Sequence, residues 1–265
     1  MIEGAPRGEF SEQTVIVTGG GKGVGRGITL AFLRAGADVV VCGRRAPEEL
    51  PEANGKRAIF VSADIRELGA IDAVIEAALA IRGRLDILVN NAGGAPFILA
   101  ADAKPSLHEK ILSLNLIAPL HFSQKANAIM QRQEGGGAIV NIGSVSATRP
   151  SPGTAAYGAA KAGLASLTES LAVEWAPKVR INNITAGMIE TEQSHLHYGG
   201  EEGLAAVAKT VPLGRLARPD DIADLTLFLA SDRSRYMSGA SVRIDGGGER
   251  PAFLEASTVN RTDKE

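Results

Sequence analysis

Seven short apolar runs alternate along this chain with stretches of helical spacing, and that alternation narrows the fold more than any other feature. The runs are TVIVTGG (14–20), DVVVCGRR (38–45), AIFVSADI (58–65), LDILVNNAGG (85–94), GAIVNIGS (137–144), VRINNITAG (179–187) and ASVRIDGG (240–247). Each is apolar nearly without a break rather than by alternate residues, so both faces of each strand meet protein. Between the third and fourth runs, Ile71, Val74, Ile75 and Ala78 recur at i, i+3, i+4 and i+7, one face of a helix. No hairpin punctuation joins one run to the next. Strands buried on both sides and separated by helices form a parallel sheet, and right-handed crossovers wind it doubly. The pattern predicts an α/β fold: a single doubly wound domain over residues 1–265, with a seven-stranded parallel sheet flanked by helices on both faces. Its core is expected over about residues 11–250, with loose ends at 1–12 and in the polar tail EASTVNRTDKE.

Ligands of such sheets bind beyond the carboxyl ends of the strands. The first strand end opens into TGGGKGVGRG, residues 18–27. The strict G-x-G-x-x-G fingerprint fits in no register, but T-G-x-x-x-G-x-G does, on Thr18, Gly19, Gly23 and Gly25, with Gly21, Lys22 and Val24 inside the same loop. Glycine permits the tight turn and the approach of backbone to a pyrophosphate, and the next helix aims its free N–H groups at the anion. At the end of the second strand, where an acid would grip a ribose 2′-hydroxyl, stand Gly43, Arg44 and Arg45. A carboxylate repels a 2′-phosphate, whereas guanidinium groups and the Lys22 ammonium attract it. This balance favours NADP(H) over NAD(H).

With these features in place, the chain resembles the short-chain dehydrogenase/reductase family along almost all its length, which implies a Rossmann-like fold. TGGGKGVG resembles that family's cofactor loop. Asp64, with Ile65 beside it, matches its adenine-binding aspartate. NNAG (90–93), with Asn91, Ala92 and Gly93, matches the motif that braces the sheet and borders the cofactor. Asn115 in LNL, Ser144 in IGSVS, and Tyr157 with Lys161 in YGAAK match the family's catalytic asparagine, serine and Y-x-x-x-K pair. INNITAGMIET resembles a segment that brings Gly187, Ile189 and Thr191 to the cofactor. There the chain departs from the family: Ala186 stands where a proline stiffens the backbone beside the nicotinamide.

The resemblance implies an oxidoreductase moving a hydride between a nicotinamide and a carbonyl or secondary alcohol. The proton needs a separate group. A phenol titrating near ~10 is a poor base at neutral pH, and a nearby ammonium favours its ionised form. Tyr157 and Lys161, at i and i+4, share a helix face. Ser144 then donates to the substrate oxygen as charge develops. By the resemblance, Lys161 also bonds the nicotinamide ribose, and Asn115 holds a water linking Lys161 to solvent.

Pro96, Phe97, Met188 and His195 are candidates for the substrate wall by position alone. The apolar stretch GAPFILAADA (94–103) leans towards an apolar or acyl substrate. A 3-oxoacyl thioester, a hydroxysteroid and a sugar or polyol all stay open, as does a non-catalytic NADP(H)-binding sensor or scaffold. The HLH at 195–197 lacks acidic or cysteine partners at ligand spacing, so no metal is expected. Ala155, Ala156, Ala159, Ala160, Ala162, Gly163 and Ala165 would let a second helix approach closely, and the resemblance implies a homodimer or homotetramer. A net charge of −2 gives no footprint for nucleic acid. MIEGAPRGEF has no apolar h-region, no run approaches a membrane span, and Cys42 has no disulfide partner. These observations lead to the expectation of a cytoplasmic protein with a small-molecule carbonyl or alcohol substrate and no membrane partner.

Overall fold

A computed structural model describes residues 8–257. In chain order the elements are β1 (Thr14–Thr18), α1 (Gly23–Arg34), β2 (Asp38–Gly43), β3 (Glu52–Ala53), β4 (Lys56–Arg57), β5 (Ile59–Ser62), α2 (Leu68–Arg82), β6 (Ile87–Asn90) and α3 (Pro105–Leu112). They continue as α4 (Ala118–Met130), β7 (Gly137–Ile142), α5 (Ala155–Trp175), β8 (Val179–Ala186), α6 (His195–Tyr198), α7 (Glu201–Thr210), α8 (Pro219–Ala230), β9 (Ser241–Ile244) and α9 (Ala252–Ala256). Seven strands form one sheet in the order β5-β2-β1-β6-β7-β8-β9, and every pairing in it is parallel. The chain therefore winds outward from β1 in one direction and, after α2, crosses over to wind the other way. The reversal leaves a crevice beyond the ends of β1 and β6.

Burial on both faces holds for the central strands, whereas the edge strands β5 and β9 stay partly exposed, β9 with its apolar Val242 and Ile244 alternating with exposed Ser241 and Arg243. Val15, Val17, Val39 and Val41 point to one side, where Ile28 and Phe32 of α1 and Ile222 and Leu227 of α8 cover them. Ile16, Val40 and Leu88 point to the other, against Ile71 and Val74 of α2, Phe122 and Met130 of α4, and Trp175 of α5. Between the sheet and the second layer runs a buried polar chain. The Asn90 amide donates to Ser123 and to Asn141, and the Asn141 amide donates to Thr168, at 2.8–2.9 Å. Buried amides need such partners, and here they fix β6, β7, α4 and α5 to one another.

Two expectations about the periphery need correction. The core begins before residue 11: Phe10 is 1% exposed, its ring meets Phe32 edge-on at 5.1 Å, and its N–H donates to the Ala35 carbonyl. A hairpin also exists. β3 and β4 pair antiparallel around Asn54 and Gly55, both at positive φ, as a tight two-residue turn requires. Its strands carry no apolar alternation, so no strand signal announced it. At the other end, α9 extends the order to Ala256. The remainder of the expected loose ends, residues 1–7 and 258–265, lies outside the described residues. Among the described residues, no helix is long and apolar enough to cross a membrane.

Candidate active site

A cavity of about 590 Å³ opens beyond the carboxyl ends of the central strands. Its first wall is the glycine loop. Gly25 must be glycine: a Cβ there would stand 2.3 Å from the Gly19 carbonyl oxygen. That close packing starts α1 directly behind the loop, with no acidic residue in its first turn. Gly19, Gly21, Lys22, Gly23, Val24 and Gly25 all line the cavity. Thr18 does not. It is buried, and its hydroxyl accepts from the Asn91 and Ala92 N–H groups at 2.9 and 3.0 Å and reaches the Val89 carbonyl at 3.3 Å. It ties β1 to β6, and the Asn91 side chain adds a bond to the Thr18 carbonyl.

One end of the cavity is cationic. Arg44 and Arg45 line it after β2, both exposed and without an ion pair among the described residues. Asp64 and Ile65 line it after β5. The Arg66 guanidinium grips the Asp64 carboxylate at 2.9 and 2.5 Å and holds its pKa down to about 2. Arg66 itself lines the cavity and was not singled out from the sequence, although it stands only two residues beyond the aspartate.

The opposite end gathers Ser144, Tyr157 and Lys161, with Asn91, Ala92, Gly93, Gly187, Ile189 and Thr191 along the floor and rim. Ser144 sits in extended backbone just past β7, where its hydroxyl accepts from the Ser146 N–H at 3.1 Å and bonds the Tyr157 phenol. Tyr157 lies in the first turn of α5. One turn on, Lys161 is 3% exposed; its Nζ donates to the Ile142 carbonyl at 2.7 Å and lies 5.6 Å from the Tyr157 ring centroid. Burial lowers the Lys161 pKa from 10.5 to about 8. The phenol shifts upward from 10.0, burial being the largest cause, with the Ser144 bond pulling the other way and Tyr198 adding to the rise. The expected lowering by Lys161 is therefore absent from this structure. The ammonium is directed at the Ile142 carbonyl, and burial of the phenol sets the direction of its shift.

Asn115 sits in a π-helical turn, Ser113–Ile117, between α3 and α4. Such turns are found often at functional sites. Its amide is fully used: Oδ1 accepts from the Gly94 N–H at 2.9 Å, and Nδ2 donates to the Gly94 and Ile111 carbonyls. The Asn115 side chain thus clamps the loop after β6. Gly93 is needed beneath it, since a Cβ would lie 2.6 Å from Asn115 Oδ1 and 3.4 Å from Lys161 Nζ.

Ala186 remains a paired strand residue opposite Ile244, and the Gly187 N–H donates to the Ile244 carbonyl at 2.9 Å. Of the four substrate-wall candidates, Met188 lines a second cavity of about 310 Å³, while Pro96, Phe97 and His195 line neither cavity. Phe97 is 73% exposed, and the His195 ring is exposed with Nδ1 3.1 Å from the Glu192 carbonyl. Among the described residues, no three His, Cys, Asp or Glu side chains are grouped to hold a metal ion.

The segment after β8 supplies a residue that no sequence signal marked. Glu192 reaches back to α1, where its carboxylate accepts from the Gly23 N–H at 2.9 Å. An anion thus already rests on the N-terminus of α1, which is the chemistry that a pyrophosphate would present there.

The arrangement joins an anion-binding loop to a hydroxyl, phenol and ammonium constellation. A sequence model of the family described as enoyl-(acyl carrier protein) reductase matches residues 19–249. The chain is 38% identical over 246 residues to L-rhamnose 1-dehydrogenase (NAD(P)(+)) of Azotobacter vinelandii, covering 89% of this chain and 96% of that protein. The chain belongs to the short-chain dehydrogenase/reductase family. It is also 34% identical to a 3-oxoacyl-[acyl-carrier-protein] reductase of Chlamydia pneumoniae, over 88% of this chain and 95% of that one. A solved structure assigned as a short-chain alcohol dehydrogenase of Sinorhizobium meliloti 1021 superposes with a TM-score of 0.83 at 34% identity, covering 91% of this chain and 98% of that one. As a short-chain dehydrogenase/reductase, the protein is an oxidoreductase of alcohol and carbonyl groups that uses NAD(P).

Proposed function

We propose that this protein is an NADP(H)-dependent oxidoreductase in which Tyr157 exchanges the proton with a carbonyl or secondary-alcohol substrate. One observation carries the reading: a single cavity has Ser144, Tyr157 and Lys161 at one end and, at the other, Arg44 and Arg45, which have no ion pair among the described residues. When bound, the nicotinamide supplies or accepts the hydride. The glycine loop and the N-terminus of α1 would hold the pyrophosphate, Arg44, Arg45 and Lys22 the 2′-phosphate, and Asp64 and Ile65 the adenine.

Tyr157 meets the substrate oxygen as a neutral phenol, because burial raises its pKa. A neutral phenol is the form that donates a proton as a carbonyl becomes an alcohol. Ser144 steadies the phenol oxygen and donates to the charge developing on the substrate. Lys161, its Nζ fixed by the Ile142 carbonyl, lies against the phenol ring, where it would hold the nicotinamide ribose. Asn115 acts through Gly94 as a positioning residue that holds the loop facing Lys161.

The relatives divide between sugars and acyl thioesters by name, and the exposed Phe97 and Leu99 are what would favour an acyl chain. A homo-oligomer is supported by Leu112, Ile117 and Val173, large apolar side chains exposed on and between α3 and α5. The lone, buried Cys42, its thiol pushed up to about 12, suits a reducing cytoplasmic setting. The test is turnover of a panel of alcohols and ketones with both cofactors, for the wild type and Arg44→Asp. The wild type should favour NADP(H), and the substitution should move the ratio of kcat/KM at least tenfold towards NAD(H), from the loss of one charge-assisted phosphate contact and a new repulsion, about 1.4 kcal/mol or more. An unmoved ratio refutes the 2′-phosphate assignment, and cofactor binding without turnover of any substrate would favour the sensor.

A further inference from the structure

The second cavity adjoins the site and is walled differently from the first. It begins at Val145, next to Ser144, and shares Gly187 with the larger cavity. Its volume of about 310 Å³ falls at the small end of ligand pockets. Four charged side chains line it, and they are matched in pairs. Arg149 Nη2 lies 2.8 Å from Glu249 Oε1, and Arg243 Nε lies 3.3 Å from Asp245 Oδ2. Arg243 also donates to the Thr148 hydroxyl at 2.7 Å. Tyr198 of α6 is half-buried; burial raises its pKa most, Arg149 pulling it down and Glu249 pushing it up, and Tyr198 adds to the rise at Tyr157.

We propose that the substrate is a neutral polyhydroxylated alcohol or its carbonyl form, such as an aldose, whose adjacent hydroxyls are read by the Arg149–Glu249 pair. The inference rests on the carbonyl/alcohol reading of the site and narrows it. Three features of the wall select this class. Arg149 and Glu249 side chains are 37% and 39% exposed, so an acyl chain or steroid laid on them would strip water from two charges and return nothing. An anionic substrate would have to displace Glu249 or Asp245 from a guanidinium that each already holds. A pair of neighbouring hydroxyls instead fits the pair as it stands. Each hydroxyl both donates and accepts, so one donates to the Glu249 carboxylate while the other accepts from Arg149, both as charge-assisted bonds. The apolar lean drawn from GAPFILAADA carries less weight, since Phe97 and Leu99 of that stretch are exposed and line neither cavity.

The test measures kcat/KM of the purified full chain with NADP⁺ or NADPH on four probes: a neutral hexose, the matching aldonate, a simple secondary alkanol and a 3-oxoacyl thioester. NADPH binding is followed separately by its fluorescence. The hexose should be the best substrate. Glu249→Ala and Arg149→Met should each raise its KM about tenfold or more, the loss of one hydrogen bond to a charged group, while both variants bind NADPH as the wild type does. The second variant interrogates the same pair should the first fail to fold, as loss of NADPH binding would reveal. A preference for the thioester, alkanol or aldonate overturns this inference and leaves the carbonyl/alcohol reading standing. An unchanged hexose KM in a folded variant overturns it too. Turnover of none of the four, with NADPH bound, refutes the broader reading.

Discussion

Lys161→Met should make the protein more stable while removing its turnover. Burial takes the Lys161 pKa from 10.5 to about 8. At about 1.4 kcal/mol per pH unit, holding the ammonium in the folded site costs on the order of 3 kcal/mol at neutral pH. Methionine fills a similar volume and removes that cost, but strands the Ile142 carbonyl that Nζ now satisfies, a loss of about 1–2 kcal/mol. The variant should therefore gain about 1–2 kcal/mol at pH 7. The sign reverses with pH. Between about 8 and 10.5 the unfolded chain binds the proton and the folded chain has lost it, so wild-type stability rises with pH across that window. The variant has no such rise, so its advantage should vanish within the window and become a deficit of about 1–2 kcal/mol as the pH approaches 10.5, the cost of the stranded carbonyl. Urea unfolding followed by circular dichroism, at pH 7 and again near the upper end of the window, reads both effects. A variant less stable at pH 7, or a difference that does not change with pH, would refute the claim that Lys161 is kept in place against its own stability for function.

Two further outcomes follow from contacts that only the structure shows. Glu192→Gln removes the carboxylate from the N-terminus of α1. NADPH should then bind about two- to fivefold more tightly, the usual scale of a charge at a helix end, by fluorescence titration; an unchanged affinity would mean that Glu192 does not compete for that position. Arg180 donates to the Leu229, Ala230, Ser231, Ser234 and Met237 carbonyls and so satisfies the end of α8. Arg180→Met should lower stability by about 3 kcal/mol in urea unfolding, and a loss below ~1 kcal/mol would show that water replaces the guanidinium at no cost.

How far the chain could be read depended on whether the signal was local. The apolar runs, the glycine loop and the four-residue step from Tyr157 to Lys161 are local, and the sheet and the cavity were legible from them. Thr18 was legible as important but not in its role, because the β1–β6 tie joins residues more than 70 positions apart. The upward shift of Tyr157 was illegible for a related reason: spacing gives the lysine as a neighbour, whereas burial depends on every element packed around the phenol. Phe10 looked loose because it stands alone in GEFSEQ, and its partner Phe32 belongs to the face of α1. Arg149 and Glu249 meet across a hundred positions, and Glu192 meets Gly23 across 169, so no motif could have announced either contact.

The central claim is that Tyr157 carries the proton in a site whose cofactor is held by other groups. Tyr157→Phe tests it most directly when NADPH binding and turnover are measured on the same sample. The expected result is a dissociation constant for NADPH within about twofold of wild type, with turnover reduced by at least ~10²-fold, the scale of one general acid–base group. Turnover retained at the wild-type level, with the cofactor equally well bound, would contradict the account.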